Sequence, residues 1–348
     1  MFHCAASSRQ LLLRMGAVAA AAAALASMPS AYAQQPKKDV TMRLDWLYQG
    51  PNSGFMVAKD KGYYDAAGLN VDLGPGRGSG STAQLVASKA TMFGFSDGYV
   101  VGNSVAKDMS ITMVASVYRR NPTAVIVLAD SDIKTLKDLE GKTIGIPTGA
   151  TQFQQWPAVV KGCNLDGSKI TVANVDPAGS VPALVTGKVQ AIAGYAQGQV
   201  PGVEVRAKKD ARVFWYADCG VNAISNGIIV HNDMLKESPE LIRGFVTASI
   251  KGFIYARQHP DEAVAITRKF SEAVVPEIAR RELEMSFATW VTPNTAGKPL
   301  GWMSDKDWDS TVEVLKQYGG VTAPLQASAL YTNDFVPAGA EFVPPQPK

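Results

Sequence analysis

The sequence contains few of the residues that build metal centres and nucleic-acid interfaces. Its 348 residues include 3 His and 3 Cys, which is little material for a site with several metal ligands. Lys and Arg number 34 against 31 Asp and Glu, so the formal net charge is only +3, and no basic stripe indicates a nucleic-acid binder. A hydrophobic fraction of 46% with 19% charged residues is typical of a globular protein and excludes a disordered or fibrous one.

Long apolar runs are equally scarce, and the one that stands out lies near the start of the chain. Arg9 and Arg14 precede an apolar run over residues 15–26, and Ala31 and Ala33 supply the small residues that a signal peptidase reads. We predict a signal peptide over residues 1–33, cleaved after Ala33, and a periplasmic protein. An uncleaved membrane anchor is the alternative, although the run is short for a bilayer. No later stretch reaches the ~20 apolar residues of a membrane span.

Export changes the interpretation of the cysteines. Cys4 leaves with the predicted signal peptide, so Cys163 and Cys219 remain. In an oxidising compartment an isolated pair forms a disulfide readily. Two small buried hydrophobic side chains are the alternative, and the sequence leaves both open.

Strand-like and helix-like segments alternate along the rest of the chain, whose length suits two domains. This alternation predicts βαβ units and a mostly parallel sheet in each of two α/β lobes. Ser238-Pro239-Glu240 then starts a helix with an apolar face at 3.6-residue spacing, and a helical C-terminal tail follows. Predicted strands cover residues 40–44, 70–73, 92–95, 111–117, 124–128, 142–146, 170–175, 191–194 and 227–230.

Polar and aromatic side chains follow the predicted strands at their carboxyl ends, where open α/β sheets bind ligands. The glycine-rich turn over residues 74–82 offers backbone N–H groups to an anion or a carbonyl oxygen. It is neither a Walker A loop nor a dinucleotide fingerprint. The candidate ligand-binding residues are Trp46, Tyr48, Gln49, Asn52, Arg77, Ser79, Ser81, Ser96, Asp97, Thr148, Thr151, Gln152, Tyr195 and Gln199.

Each of these features has a simpler structural explanation. The aromatic side chains of Trp46, Tyr48 and Tyr195 are each common in a hydrophobic core, and the glycine-rich turn also suits a flexible surface loop. Arg77 leaves room for a carboxylate or a sulfonate, but a solvated surface arginine is equally consistent. Their joint placement at the strand ends of two lobes is what favours a binding site.

The same segments resemble the NMT1/THI5-like periplasmic binding proteins, a group close to the alkanesulfonate, taurine and nitrate binders. The similarity covers nearly the whole chain after the signal peptide. It rests on Asp45-Trp46, Lys61-Gly62-Tyr63-Tyr64, Gly94-Phe95-Ser96-Asp97, Leu136-Lys137-Asp138-Leu139-Glu140-Gly141-Lys142, Gly187-Lys188-Val189-Gln190-Ala191 with Gly194-Tyr195, and Tyr331-Thr332-Asn333-Asp334-Phe335.

The resemblance implies a type II periplasmic binding protein fold. Lobe one would comprise residues 39–127 and 231–348, lobe two residues 128–230, and two crossings near Leu128 and Val230 would form the hinge. Closure of the lobes on a small solute would deliver it to an ABC permease and its ATPase. We therefore expect a monomer that makes only transient contact with a membrane protein, and we expect no catalytic residues, no cofactor, no metal and no nucleic-acid partner.

The resemblance leaves the ligand open. Pyrimidine-precursor binders of this group typically begin Asp-Trp-x-Pro-Asn-x-Asn-His, and this chain departs from that pattern between Tyr48 and Asn52. Gln199 stands where the group has an acidic residue that would pair with a basic aminopyrimidine. The aromatic side chains still favour a flat, aromatic or heterocyclic solute, either pyrimidine-like or an aromatic acid.

Three other functions compete with this one. The first alternative is an anion binder of the alkanesulfonate, taurine or nitrate type, and the second is a periplasmic sensory protein. The third is an enzyme like the fungal relatives, which use a cysteine-rich segment and a histidine. This chain lacks that cysteine cluster, and neither His231 nor His259 has a recognisable nucleophile partner.

Overall fold

A computed structural model describes residue 1, residues 36–322 and residues 324–345. The chain divides into two units, residues 1–36 and residues 37–348, and the second holds all the features described below. The predicted signal peptide and its cleavage after Ala33 lie outside the described residues. Among the helices of the described part, none has both the length and the hydropathy needed to cross a membrane.

Strands and helices alternate through most of this unit, as the sequence predicts. The strands are β1 (Lys38–Arg43), β2 (Leu69–Gly74), β3 (Phe93–Asp97), β4 (Ile111–Ser116), β5 (Thr123–Leu128), β6 (Thr143–Gly145), β7 (Thr171–Ala173), β8 (Ala191–Tyr195), β9 (Ala211–Trp215) and β10 (Asn226–His231). The helices are α1 (Ser53–Asp60), α2 (Tyr63–Ala66), α3 (Ser79–Ala87), α4 (Gly98–Val105), α5 (Thr151–Gly162), α6 (Ser180–Val185), α7 (Ala196–Ala207), α8 (Asn232–Glu237), α9 (Pro239–Gln258), α10 (Pro260–Phe270), α11 (Pro276–Ser286) and α12 (Asp305–Gln317).

The strands form two five-stranded sheets, ordered β2-β1-β3-β10-β4 and β7-β6-β8-β5-β9. Within the first sheet β1 pairs in parallel with β2 and β3, and within the second β6 pairs in parallel with β7 and β8. The expectation of mostly parallel sheets needs correction, because both sheets are mixed. β10 is antiparallel to β3 and β4, and β5 is antiparallel to β8 and β9. β5 and β10 are the strands that follow the two passages of the chain from one sheet to the other, and each runs antiparallel to its neighbours in the sheet that it enters.

The chain passes between the sheets twice. Since β4 belongs to the first sheet and β5 to the second, the first crossing covers residues 117–122; the return from β9 to β10 covers residues 216–225. The boundaries predicted near Leu128 and Val230 fall at the carboxyl ends of β5 and β10. Because β5 pairs with strands of the second sheet and β10 with strands of the first, both crossings come before these strands and not after them. Local sequence could not reveal this, because a buried β-branched strand has the same pattern in either sheet.

Helix α9 packs its predicted apolar face against the first sheet and α1. Leu241, Ile242, Phe245 and Phe253 are all buried in that core. The two helices approach closely, since a Cβ on Gly252 would lie 2.1 Å from the backbone oxygen of Gly54. This contact fixes α1, and with it the loop that precedes α1 and leads into the pocket described below.

The second sheet carries a covalent constraint. Cys163, which follows α5, and Cys219, which follows β9, form a disulfide across a sequence separation of 56 residues. Of the two alternatives that the sequence left open, the structure has the disulfide. β9 was not predicted from the sequence, and the disulfide ties the segment after this edge strand to the end of α5.

Candidate functional site

The loop between β1 and α1 forms one wall of a pocket and is pinned to the glycine-rich turn after β2. The Gly78 backbone N–H donates to the Asp45 backbone oxygen at 2.7 Å, and Gly76 donates to the Trp46 oxygen at 2.8 Å. Only glycine fits at Gly76, because a Cβ there would lie 1.9 Å from the Leu44 backbone oxygen. The predicted turn is thus an ordered support for the first loop.

The loops that follow β1, β2, β6 and β8 enclose this inner pocket, whose volume is about 430 Å³ when its opening to solvent is counted. It lies where strand ends of the two sheets face each other, which is the position expected for a ligand in an α/β fold. The lining residues are Asp45, Trp46, Gln49, Pro51, Asn52, Gly78, Ser79, Tyr118, Ala150, Thr151, Gln152, Gly194, Tyr195, Gln197 and Gln199.

Tyr195 joins the two sheets at the base of the pocket. Its hydroxyl, at the end of β8, lies 2.9 Å from Asp97 Oδ2 at the end of β3 and 2.5 Å from Asn226 Oδ1 at the start of β10. Asp97 also accepts from Ser225 at 3.1 Å and caps α4 through the Tyr99 backbone N–H at 2.9 Å. Burial raises the pKa of Asp97 to about 6, although these donors oppose the rise.

Asp45 is the second buried carboxyl group, and it lines the pocket itself. It is 5% exposed and accepts from Asn52 Nδ2 at 3.3 Å. Burial raises its pKa to about 7, and the Asn52 amide only partly offsets that rise. Tyr118 holds the same loop, since its hydroxyl donates to the Pro51 backbone oxygen at 2.5 Å. The raised pKa brings the protonated form of Asp45 closer to neutral pH, and in that form the carboxyl group can donate a hydrogen bond to a bound molecule as well as accept one.

Carboxamides dominate the polar lining. Five side chains of this type face the pocket: Gln49, Asn52, Gln152, Gln197 and Gln199. No Lys, Arg or His belongs to the lining among the described residues. The pocket therefore offers uncharged donors and acceptors beside the aromatic rings of Trp46, Tyr118 and Tyr195, and it offers no cation.

A larger outer chamber opens beside the inner pocket and shares Trp46, Gln49 and Gln199 with it. Its volume is about 1110 Å³ with its opening to solvent included, and apolar side chains of α6, α11 and the segment before α11 form much of its wall. Tyr48 lines this chamber rather than the inner pocket. The Tyr48 hydroxyl donates to the Leu73 backbone oxygen at 2.6 Å, and its ring centroid lies 5.7 Å from that of Phe270.

The structure brings most of the predicted site residues together. Asp97 lies directly behind Tyr195, and Ser96 is buried, where it donates to the Ser79 backbone oxygen at 3.1 Å. Those that line the inner pocket are Trp46, Gln49, Asn52, Ser79, Thr151, Gln152, Tyr195 and Gln199.

Three predicted residues lie elsewhere. The Arg77 side chain is 76% exposed and pairs with Asp176 at 2.8 Å, so it faces solvent at the rim. Thr148 is exposed, and Ser81 is half-buried beside Gly149; both lie outside the linings of the inner pocket and the outer chamber. Arg77 and Thr148 belong to loops that reach the pocket and Ser81 to helix α3, which begins at the pocket, but these three side chains do not line it.

Sequence reasoning missed four lining residues that matter for the chemistry. Asp45 opens the first loop directly before Trp46, so its position was a usable signal. Gln197 stands between Tyr195 and Gln199 in a segment already selected, so its position was a usable signal. Pro51 likewise stands between Gln49 and Asn52. Tyr118 carried no signal, because it lies on a crossing whose position the sequence did not give.

The two mixed α/β sheets joined by two crossings are the fold of the periplasmic binding proteins. The NMT1/THI5-like family model matches residues 51–263, and the chain belongs to that family. The riboflavin-binding protein RibY of Chloroflexus aurantiacus is 28% identical over 92% of each chain. A formylaminopyrimidine-binding protein of Halalkalibacterium halodurans is 26% identical over 84% of this chain and 89% of its own.

Solved structures agree on the fold. The ligand-binding component of an ABC-type import system from Staphylococcus aureus superposes with a TM-score of 0.66 at 10% identity, covering 86% of this chain and 98% of its own. The alkanesulfonate-binding protein SsuA of Xanthomonas axonopodis pv. citri, bound to MOPS, gives 0.63 at 13% identity over 84% and 98%. One sequence relative is named as an enzyme: a pyrimidine phosphate synthase of Legionella pneumophila, 20% identical over 86% of this chain and 93% of its own.

Proposed function

We propose that this protein is the periplasmic solute-binding component of an ABC importer and that it captures a small, flat, uncharged heterocycle between its two sheets. One observation carries the proposal: the inner pocket combines three aromatic rings with five carboxamides and has no cationic side chain among its described lining residues. Aromatic rings supply stacking area, and carboxamides supply paired donors and acceptors for ring heteroatoms.

Capture would occur by closure of two lobes around the pocket. The lobes correspond to the parts of the chain that carry the first and the second sheet, with the crossings at residues 117–122 and 216–225 as the hinge. The two sides already meet across the cleft, since Gly80 of α3 donates to the Gly149 backbone oxygen at 3.0 Å and Asn103 of α4 donates to Gln154 of α5 at 2.9 Å. A ligand that touches both lobes stabilises the closed form, because the open form contacts it from one side only.

Riboflavin is the first ligand to test, and formylaminopyrimidine is the second. Relatives that cover most of this chain are named for these two molecules. An aminopyrimidine that carries a positive charge would lose the acidic partner that Gln199 replaces, which places it second. Sulfonate, nitrate or an aromatic acid fits less well, because an anion in this pocket would find no cationic partner among the described lining residues.

The test is a binding measurement on the purified exported protein. Thermal unfolding and titration calorimetry are run with riboflavin, formylaminopyrimidine, taurine, nitrate and an aromatic acid. A ligand that binds only the native state at 100 times its Kd adds about 2.7 kcal/mol of stability. Stabilisation by a heterocycle supports the proposal, whereas stabilisation by an anion alone supports the alkanesulfonate-type alternative. Stabilisation by no member of the panel contradicts the proposal.

Transport, signalling and catalysis predict different behaviour in cells and in vitro. As an importer component, the protein should be required for uptake of its ligand, so a deletion strain should lose uptake. A sensory protein would leave uptake intact and change gene expression instead. An enzyme would convert the bound molecule, and mass spectrometry of the ligand before and after incubation would detect the product. We expect the ligand to be recovered unchanged.

A further inference from the structure

We propose that Gln197 is the residue that determines specificity and that its carboxamide pairs with a ligand edge carrying a hydrogen-bond donor next to an acceptor. The inference rests on the proposed function and deepens it by naming the chemical class of the ligand edge. Lactams, imides and amino-substituted azines have such an edge. Sulfonate, nitrate and carboxylate groups do not, because they offer acceptors only.

The environment of Gln197 is unusual for a glutamine. The residue is 3% exposed, and both its Oε1 and its Nε2 atoms are buried without a hydrogen-bond partner among the described residues. Most buried side-chain polar atoms in proteins are paired, since an unpaired buried amide loses its hydrogen bonds to water and gains nothing in return. Gln197 lines the inner pocket, so its unpaired carboxamide lies at the wall where a bound molecule would sit.

The position of Gln197 at the start of helix α7 restricts where its carboxamide can lie. Gln197 lies in the first turn of α7, two residues after Tyr195, whose hydroxyl bonds to Asp97 of the other sheet. Gly194 approaches the neighbouring Gln199 so closely that a Cβ there would lie 2.6 Å from Gln199 Cγ. The start of α7 is thus tied to the other sheet through Tyr195, and a carboxamide carried by a rigid element can select a ligand by geometry.

A carboxamide presents one acceptor and one donor side by side in a plane. It satisfies both atoms at once only against a partner with the complementary pair, such as the imide edge of an isoalloxazine ring or the amidine edge of an aminopyrimidine. An acceptor-only anion would leave Oε1 unpaired in the buried pocket. A site with buried polar groups rejects analogues that cannot pair with them, so Gln197 discriminates against anions as well as orienting the ring.

The chain offers a matched control in Gln155. This residue, on α5, is 0% exposed, and both its amide atoms also lack a hydrogen-bond partner within the described part of the chain. It nevertheless lies outside the linings of the inner pocket and the outer chamber. Gln197→Met and Gln155→Met remove the same groups at similar volume. Any effect on folding is therefore expected in both variants, and an effect on binding only in the first.

Riboflavin and 3-methylriboflavin are the probes, because methylation removes the imide N–H from the ring edge. We expect Gln197→Met to weaken riboflavin binding about 10- to 100-fold, since two buried hydrogen bonds are lost, and Gln155→Met to leave it unchanged. Methylation of the ring should greatly weaken binding to the wild type but only slightly weaken binding to Gln197→Met. This non-additivity is expected in a double-mutant cycle when the two altered groups are in contact.

The outcomes separate the inference from the proposed function. If the wild type binds formylaminopyrimidine instead of riboflavin, the same two variants are compared on that ligand, with loss only in Gln197→Met expected. Wild-type binding of either heterocycle with undiminished binding by Gln197→Met overturns the inference alone. A methylation penalty that persists in Gln197→Met also overturns it for the imide edge. A wild type that binds neither heterocycle overturns both.

Discussion

The hydroxyl of Tyr195, on the last residue of a strand in the second sheet, lies 2.9 Å from Asp97 Oδ2, on the last residue of a strand in the first sheet. A bond of this kind holds the two halves of the site together before any ligand enters. It also places a polar group at the base of the pocket, where the partner carboxyl group is buried. Closure on a ligand, as proposed above, would therefore involve this side chain together with the contact of Gly80 with Gly149 and that of Asn103 with Gln154.

The first prediction concerns this bond. Tyr195→Phe removes the hydroxyl and keeps the ring, so the ligand-free protein should sample an open form more often and bind its ligand about tenfold or more weakly. A hydrogen bond to a charged group contributes about 1.5–3 kcal/mol, and a less populated closed form raises the apparent Kd in proportion. Small-angle scattering of the free protein and titration calorimetry measure the two effects.

Tyr331→Phe is the matched control for that variant. The Tyr331 hydroxyl also donates to a carboxylate, that of Asp305, but neither residue lines the inner pocket or the outer chamber. Its loss should leave both the radius of gyration and the affinity unchanged. Equal effects of the two substitutions would show that Tyr195 has no special role in closure.

The second prediction is a fall in the stability of the ligand-free protein as pH rises from about 4 to about 7. Burial raises the pKa of Asp97 to about 6 and those of Asp45 and Glu282 to about 7, above their values in an unfolded chain. In this window the native state holds more protons than the unfolded state, so unfolding becomes easier as protons are removed. Each pKa unit of difference corresponds to about 1.4 kcal/mol.

Urea unfolding at several pH values between 4.5 and 8 measures this slope. Asp45→Asn and Asp97→Asn should each flatten it, because an amide does not titrate. Asp130→Asn is the control, since that exposed carboxylate has a lowered pKa and should not contribute in this window. A stability that rises with pH across the window would contradict the assignment of these buried groups.

Features that depend on local sequence patterns were predicted correctly, and those that depend on contacts between distant segments were not. Alternating and β-branched runs predicted nine of the strands, and strand ends predicted pocket residues such as Thr151 and Gln152, because the periodicity of burial is local. The edge strand that contains Phe214 was missed, since its residues are only partly buried and alternate weakly.

Non-local relationships explain the remaining differences. Tyr118 reaches the pocket because the chain crosses between the sheets at residues 117–122, and that crossing depends on which sheet accepts β5. Arg77 lies on a loop that reaches the pocket, but its side chain pairs with Asp176, which lies in the part of the chain that carries the second sheet. Local sequence specifies neither the position of Tyr118 in the pocket nor the partner of Arg77, because both depend on tertiary packing.

The third prediction concerns the disulfide. Reduction, or the double substitution of Cys163 and Cys219 by Ala, should lower the free energy of unfolding by about 2–4 kcal/mol, because the bond closes a loop across 56 residues in the unfolded chain. Ligand affinity should not change, since neither cysteine lines the inner pocket or the outer chamber. Urea unfolding with and without reductant, and calorimetry on the double variant, test the two statements. Loss of affinity would show that the disulfide also shapes the site.

The fourth prediction separates closure from folding at a single glycine. Gly78 lies in the turn after β2 with φ of +134°, and a Cβ there would lie 2.1 Å from the backbone oxygen of Gly149, in the loop after β6 of the other sheet. Gly78→Ala should therefore keep the two loops apart and abolish the contact that Gly80 makes with Gly149. We expect a loss of ligand affinity of tenfold or more, with a larger radius of gyration in scattering.

Gly187→Ala is the control that isolates backbone strain from that steric clash. Its φ of +75° is also in the left-handed region, but nothing lies within 4 Å of an added Cβ. It should cost about 1 kcal/mol of stability through strain alone and leave binding intact. The contrary result would be a Gly78→Ala variant that loses only as much stability as Gly187→Ala and binds ligand as tightly as the wild type. That result would show that the two loops need not meet for capture, and it would exclude closure at this contact from the binding mechanism.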